Sequence, residues 1–488
     1  MDLKLNVISL IGVYVLCILA WLTSENKKLI PWETIKWGLL SQFVIGVLIF
    51  VVPGTKDMII VLNDALNFLM DASEAGARFL FGSIIVPPAG KMAVNPVDLV
   101  NPATGQVDPN YLVNAKNGYF NMERISLGYI FAFRSLPQVI FFSAIISLLY
   151  RMNAIQPVVG FFARVFHKTM KVSGAESLAG SANIFVGIES IIAIKPFLLT
   201  MTRSELCAIL TSCFGSISST VLGLYAGLLR PTFPAITGHL VSASILTIPA
   251  CFVISKIIIP ETEVPDTMGG IPEEKEDPNV QKPSYMDALI VGAMDGVKMA
   301  AGIAAVIIAI LGCVALVNMF FQHLASFASI EIADADPIWI VIWKYLKIGL
   351  GKFFYYISLD NIFGGIFLIP TFFTGASLDP NELWIASKLI GQRILQTSVP
   401  PYMALGELAG KGVISDRVML IVSYVLCGFA HIPSMGIFVG GMTNMIPSRS
   451  HEISSVAWKA VWAATLATLM TGCIAGLFDF GNPSVLGK

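Results

Sequence analysis

Two short strings, one in each half of the chain, interrupt what would otherwise be long apolar helices. They limit the possible architectures more than any other feature. The first is Phe214-Gly215-Ser216-Ile217-Ser218-Ser219, and the second is Phe429-Ala430-His431-Ile432-Pro433-Ser434. Both read Phe, small, polar, Ile, x, Ser, and both follow a cysteine (Cys213, Cys427) in a hydrophobic run. Gly, Ser and Pro at this density do not sustain a helix at bilayer depth. Backbone groups freed there are tolerated only where they line a cavity enclosed by protein. Interrupted segments at corresponding places in two halves mark the binding site of a secondary transporter. The chain is therefore expected to be a carrier.

The membrane assignment itself rests on hydropathy. Mean hydropathy is +0.76, with 55% of residues hydrophobic and 13% charged, far from the composition of a soluble domain. A spanning helix needs roughly 20 apolar residues. Runs suited to spanning are Leu5–Leu22, Ile35–Val52, Ile130–Leu149, Leu206–Leu228, Leu240–Ile259, Ala300–Phe321, Val418–Ile446 and Val461–Phe478. The first lacks a basic leader and a small-residue cleavage site, so it is expected to be a retained helix rather than a signal peptide. A net charge of −1 gives no electrostatic footprint for nucleic acid. The seven cysteines lie in apolar segments without a CxxC pair, which points to reduced packing residues rather than zinc ligands or disulfides. Basic residues between the apolar runs set the expected orientation, with both termini on the outer face. In that arrangement Lys27, Lys28, Arg151, Arg164, Lys168, Lys171, Arg203, Lys256 and Arg449 fall on the inner side, and Lys344, Lys347, Lys352 and Arg393 on the other.

Residues 1–82 read as N-terminal membrane helices plus an amphipathic helix, Met58–Phe81, suited to lie at an interface. Residues 83–123 form a polar loop rich in Pro, Asn and Gly. The first half, 124–259, holds a Gly/Pro-interrupted hairpin at about Ser173–Thr202 and the first broken helix. An acidic linker, 260–284, connects the halves and reads as a solvated cytoplasmic connector, with regulation the other reading. Amphipathic or spanning helices occupy 285–352, where Asp295 and Lys298 can pair on one helix face. The second half, 353–488, repeats the plan with a hairpin at about Phe353–Leu405, the second broken helix and a last spanning helix. The halves read as inverted repeats. The hairpin tips are expected at Asn183–Glu189 and at Gln396–Pro401.

At these residues the chain resembles the concentrative nucleoside transporter family. The matching strings are Phe131-Ala132-Phe133-Arg134-Ser135-Leu136-Pro137, Gly174-Ala175-Glu176-Ser177, Ala182-Asn183-Ile184-Phe185-Val186-Gly187, Met201-Thr202-Arg203-Ser204-Glu205-Leu206, Pro260-Glu261-Thr262-Glu263 and Cys427-Gly428-Phe429-Ala430. Gly436-Ile437, Gly440-Gly441 and Ala467-Thr468-Leu469-Met470-Thr471 continue them in family order. The resemblance implies an all-α integral membrane protein with about eight membrane helices and two re-entrant hairpins. It further implies a homotrimer of the bacterial inner membrane, one site per protomer and elevator-like movement.

The resemblance also distributes roles. For the coupling ion it implies the side chains of Asn183 and Ser216 and the backbone carbonyls of Val186 and Ile217, oxygen donors of the hard kind that sodium takes. The alternative is that Asn183 caps the hairpin and Ser216 bonds its own helix. Sodium is the expected coupling ion, a proton the other reading, and no cofactor is expected. At the base end, a one-residue deletion removes the family's Gln and leaves Glu189 on its Glu, with a partner Lys or Arg as the structural alternative. Val221 and Phe429 match the apolar flanks of the substrate. At the sugar end the family pattern is broken. Ser398 stands where the family has a Glu, His431 where it has an Asn, and Ser434 is retained. A lost charged acceptor weakens hydroxyl recognition by about 1.5–3 kcal/mol per hydrogen bond. A modified or more polar nucleoside-like solute is thus expected to compete with unmodified ribonucleosides as the substrate.

No nucleophile elbow, HExxH or Walker loop is present, and the five histidines are scattered, so an enzyme is not expected. The readings that stay open beside a sodium symporter are a proton-coupled carrier, with His431 as titrating group, and a sensor that binds without transporting.

Overall fold

In hydrocarbon a chain must satisfy its own backbone, so the apolar runs resolve into helices. The computed structural model describes residues 3–82, 85–86, 115–116, 119–120, 130–185, 187–271, 284–330, 337–355, 357–482 and 485–487. Two spans, α1 (Leu3–Leu22) and α2 (Trp32–Phe50), open the fold. The longer α3 (Pro53–Phe81) starts on a proline, whose missing N–H costs nothing in a first turn. Its Asp71 and Glu74 carboxylates reach Arg230 and Arg134, each at 2.8 Å. A two-residue antiparallel pair, Ala115–Lys116 with Tyr119–Phe120, is the only strand pairing among the described residues.

After the span α4 (Phe131–Arg151), the amphipathic α5 (Gln156–Met170) buries Val159, Ala163, Phe166 and Met170, spaced four, three and four apart. The first hairpin follows, with α6 (Gly174–Ala182) as one arm and a 3-10 segment, Ile188–Phe197, as the other. Next come α7 (Arg203–Gly215), α8 (Ser219–Leu229) and α9 (Ile236–Ile258). The second half opens with α10 (Tyr285–Ala325), on which Lys298 and Asp295 pair at 3.0 Å on an exposed face. Then α11 (Ile338–Tyr355) and α12 (Leu359–Phe373) meet at a 52° bend. The remaining helices are α13 (Pro380–Gln396), α14 (Val399–Gly410), α15 (Asp416–Leu426), α16 (Ile432–Met445) and α17 (Ser450–Leu477).

Among the described residues, six helices are long and apolar enough to span alone. The two remaining apolar runs of the sequence, 206–228 and 418–446, are the ones that break, into α7/α8 and α15/α16. The second hairpin is narrower than its sequence pattern suggested, with α13 and α14 as arms and α12 as a separate helix. The cause is local. Gly375 turns at φ +71°, and the Asp379 side chain accepts from the Asn381 and Glu382 amides ahead of Pro380, which starts a new helix. Lys256 and Arg393, counted above as basic residues outside the spans, are buried inside α9 and α13 and drop out of the orientation count.

The core lies around α7, α9, α15 and α17. In the apolar windows of α9 and α17, 89% of residues are buried, against 11% for α10. A helix apolar all round that stays uncovered needs lipid or another protein against it. Within the core the two helix breaks touch. A Cβ on Gly428 would sit 2.5 Å from the Gly215 carbonyl oxygen, so glycine is required for this approach. Gly428→Ala is expected to destabilise the protein by about 1–3 kcal/mol through overpacking. Gly436→Ala, in an open stretch of α16, is expected to be neutral or to stabilise by about 0.5–1 kcal/mol. Thermal unfolding of both variants in detergent micelles checks the contrast.

Candidate functional site

The first hairpin is rooted in a buried ionic cluster. Ser173 and Glu176 form a capping box at the start of α6, and Thr202 and Glu205 form another at the start of α7. Glu176 is fully buried, and its second oxygen lies 2.6 Å from the Lys256 ammonium of α9. That ammonium also meets Glu261 at 3.0 Å and donates to the Ser204 hydroxyl at 3.1 Å. Thr202 donates to the same Glu261 carboxylate at 3.0 Å. Three strings scattered over ninety residues of sequence, 174–177, 201–206 and 260–263, thus meet at one anchor. A Cβ on Gly174 would fall 1.8 Å from the Gly270 carbonyl oxygen, so the hairpin root also packs tightly on the start of the linker.

From this root the hairpin carries its tip to the first helix break. Ser216 ends α7 in an extended conformation and donates through Oγ to the Asn183 carbonyl at 2.8 Å. Asn183 Oδ1 accepts from Ser190 at 3.0 Å, and its Nδ2 faces the Cys213 sulfur at 3.3 Å. Ile217 follows Ser216 and is buried. Asn183, Ser216 and Ile217 are therefore brought together. Val186 and the Glu189 side chain lie outside the described residues.

The second break is held by the other hairpin. Ser398 is fully buried, and its hydroxyl donates to the Gly428 carbonyl at 2.9 Å. Tyr402 donates to the Ser423 carbonyl at 2.7 Å and stacks on Tyr225 with ring centroids 4.6 Å apart. His431 caps α16, its Nδ1 accepting the Ser434 amide at 3.1 Å. Ser434 Oγ donates in turn to the Phe429 carbonyl and, at 2.7 Å, to that of His431. An imidazole that accepts at Nδ1 carries its proton on Nε2 when neutral, which leaves that N–H as a donor.

Between the tips and the breaks lies a cleft that opens at its mouth. Val221, Phe429, His431 and Ser434 line it, as do Gly187 of the first tip and Thr397 of the second. Ser398 is behind this wall, and Thr397, held at φ +74°, presents in its place. The remaining wall is largely apolar, with Met299, Ile303, Val306 and Ile307 of α10 forming one side of it. Sequence reasoning passed over Thr397, Tyr225 and the α10 residues. Thr397 lay inside the expected tip and Tyr225 one turn beyond Val221, but an apolar stripe on a spanning helix gives no signal of what it faces.

The sequence matches the family models described as Na+ dependent nucleoside transporter N-terminus over residues 11–84 and C-terminus over residues 239–476. A third, described as nucleoside recognition, matches residues 132–232. A Haemophilus influenzae uncharacterized transporter is 29% identical over 96% of this chain and 97% of its own length. The nucleoside permease NupC of Helicobacter pylori is 26% identical over 97% of this chain and 98% of its own. Among solved structures, CNTnw in an inward-facing substrate-bound state aligns with a TM-score of 0.77 and 27% identity, covering 97% of this chain and 98% of that one. CNTnw in an outward-facing state aligns with a TM-score of 0.74 and 26% identity, covering 97% of each chain.

The ionic root gives a test that does not depend on substrate. Lys256→Met leaves the buried Glu176 carboxylate without its cation and is expected to cost about 3–5 kcal/mol. Adding Glu176→Gln to that variant is expected to recover much of the loss, because the two sites are coupled. Thermal unfolding of the single and double variants in detergent measures both.

Proposed function

The chain belongs to the Na+ dependent nucleoside transporter family, and we propose that it is a sodium-coupled symporter importing nucleosides or nucleoside-like solutes by elevator-type alternating access. Its place is a bacterial inner membrane, as a homotrimer. One observation carries this reading: two hairpin tips and two helix breaks converge on a single cleft. Irregular backbone at membrane depth, aimed at one cavity from two halves, is what alternating access around a fixed site requires.

In this reading sodium binds at the first break. The Asn183 and Ser216 side chains and the Val186 and Ile217 carbonyls supply hard oxygen ligands. The substrate lies in the cleft against Val221 and Phe429, with Glu189 reading the base. At the sugar end the chemistry differs from a carboxylate-lined site. With Ser398 turned to Gly428, Thr397 and His431 are the polar residues at that end of an almost wholly apolar cleft. The His431 Nε2–H, a donor where a carboxylate would accept, favours a sugar end that offers acceptors, such as ether, carbonyl or modified hydroxyl oxygens. Proton coupling through His431 is the weaker reading. A doubly protonated imidazole has no acceptor left for the Ser434 amide, so loading a proton there breaks the cap of α16.

Uptake of labelled uridine and adenosine into proteoliposomes, with and without an inward sodium gradient at fixed pH, tests the proposal. Sodium-driven accumulation is expected. A response to a pH gradient alone would sink sodium coupling, and no uptake of either label by folded protein would sink an unmodified nucleoside as substrate. His431→Asn restores an amide that both donates and accepts. It is expected to lower KM for uridine about five- to tenfold, roughly the worth of one neutral hydrogen bond, with the sodium dependence unchanged. An unchanged KM would remove His431 from the sugar site.

A further inference from the structure

The second helix break contains a cation of its own. Arg393 lies on α13, four residues before Thr397 at the hairpin tip, and is fully buried. Its Nη1 donates to the Val425 carbonyl in the last turn of α15 and, at 3.0 Å, to the Thr468 hydroxyl of α17. Its Nε and Nη2 make no hydrogen bond among the described residues. Both acceptors of this guanidinium are neutral. A buried arginine is usually held by a carboxylate, since the desolvation of an unpaired charge is severe. Here the favourable partner is the end of a helix. The terminal carbonyls of α15 carry roughly half an elementary negative charge, and burial leaves that charge unscreened.

The first break poses the same electrostatic problem without the same answer. There α7 ends on Gly215, in contact with Gly428, so two negative helix ends face each other in the core. The turn of α6 that precedes the Asn183 tip carries Ala179 and Gly180, and the one charge of α6 is Glu176 at its far end. Among the described residues the Ser216 bonds at this break are to neutral groups: its amide donates to the Ser212 carbonyl, and its hydroxyl to that of Asn183.

We propose that Arg393 is a fixed internal cation, doing at the second break what the transported cation does at the first. One helix end is compensated permanently by the guanidinium, and the other is compensated only when an ion is bound. The second half then takes no ion, and one cation binds per chain. This rests on the ion assignment under Proposed function, and the test separates the two. Arg393 acts by charge at the α15 carbonyls, not by touching substrate, so it is a positioning residue.

The test uses full-length purified protein in detergent, without transport. Radioactive sodium binding is expected to saturate at one ion per chain in the wild type and in Arg393→Lys. Arg393→Ala is expected to melt lower than the wild type and to be restabilised by millimolar guanidinium, which fits the vacated place and carries the charge. Urea, similar in shape but neutral, is expected not to restore it. Two sodium ions per chain in the wild type would overturn the proposal, as would equal restabilisation by urea or an Arg393→Ala protein as stable as the wild type. If Arg393→Ala cannot be purified, Arg393→Met set against Arg393→Lys decides: wild-type stability in the methionine variant overturns a role for charge, and its loss there with retention in the lysine variant supports it. No sodium binding in the wild type would contradict the sodium assignment, while the guanidinium–urea comparison would still decide the role of Arg393.

Discussion

A helix that stops inside a hydrocarbon slab leaves its last four carbonyls without partners, and no water is there to take their place. This chain ends two helices in that way, and much of the surrounding structure supplies what those ends lack. At α15 the donors can be followed one by one. The Ser423 carbonyl takes the Tyr402 hydroxyl, Tyr424 the Cys427 amide, and Val425 the Arg393 guanidinium. Two of these three donors come from the second hairpin, so the hairpin is a structural complement to the break before it is part of a binding site. At α7 the Ser212 carbonyl takes the Ser216 amide, and the first hairpin tip is tied to the break through Ser216 and Asn183.

The same constraint explains why a binding site arises here. Polar backbone cannot face lipid, so both tips turn inward and meet where the breaks touch at Gly215 and Gly428. The cleft they enclose is apolar on its α10 side and carries few polar groups, chiefly Ser218, Thr397, His431 and Ser434. Such economy suits a carrier, because each polar group placed at membrane depth must be satisfied in both the loaded and the empty state. His431 shows how this is done at one ring nitrogen, which caps α16 within the structure itself. The buried Glu176–Lys256 pair fixes the root of the first hairpin, which allows its tip to be irregular.

Much of this was legible in the sequence. The broken helices announce themselves because Gly, Ser and Pro are costly inside an apolar run, and the tips because polar residues interrupt hairpin-length segments. The amphipathic α3 and the Asp295–Lys298 pair follow from helical spacing. The partners of buried charges were not legible. Lys256 meets Glu176 across eighty residues, and Arg393 looks like an ordinary basic residue between two spans until α15 is seen to end against it. The orientation of Ser398 was equally hidden, because a one-residue rotation at the tip turns its hydroxyl to Gly428 and gives Thr397 the place at the cleft. Start and end of the second hairpin depended on a turn at Gly375 and a cap at Asp379, local signals weaker than the apolar run around them.

The most direct measurement is a cryo-EM map of the full-length protein in lipid nanodiscs, collected in sodium and again with sodium replaced by choline. Sodium-dependent density is expected at the first break, within ligand distance of Asn183 and Ser216, with none at the second, where the Arg393 guanidinium keeps its contacts to Val425 and Thr468 in both conditions. Ion density beside Val425, or a first break that is identical in the two buffers, would contradict the view that one helix end is held by a bound ion and the other by the protein's own cation.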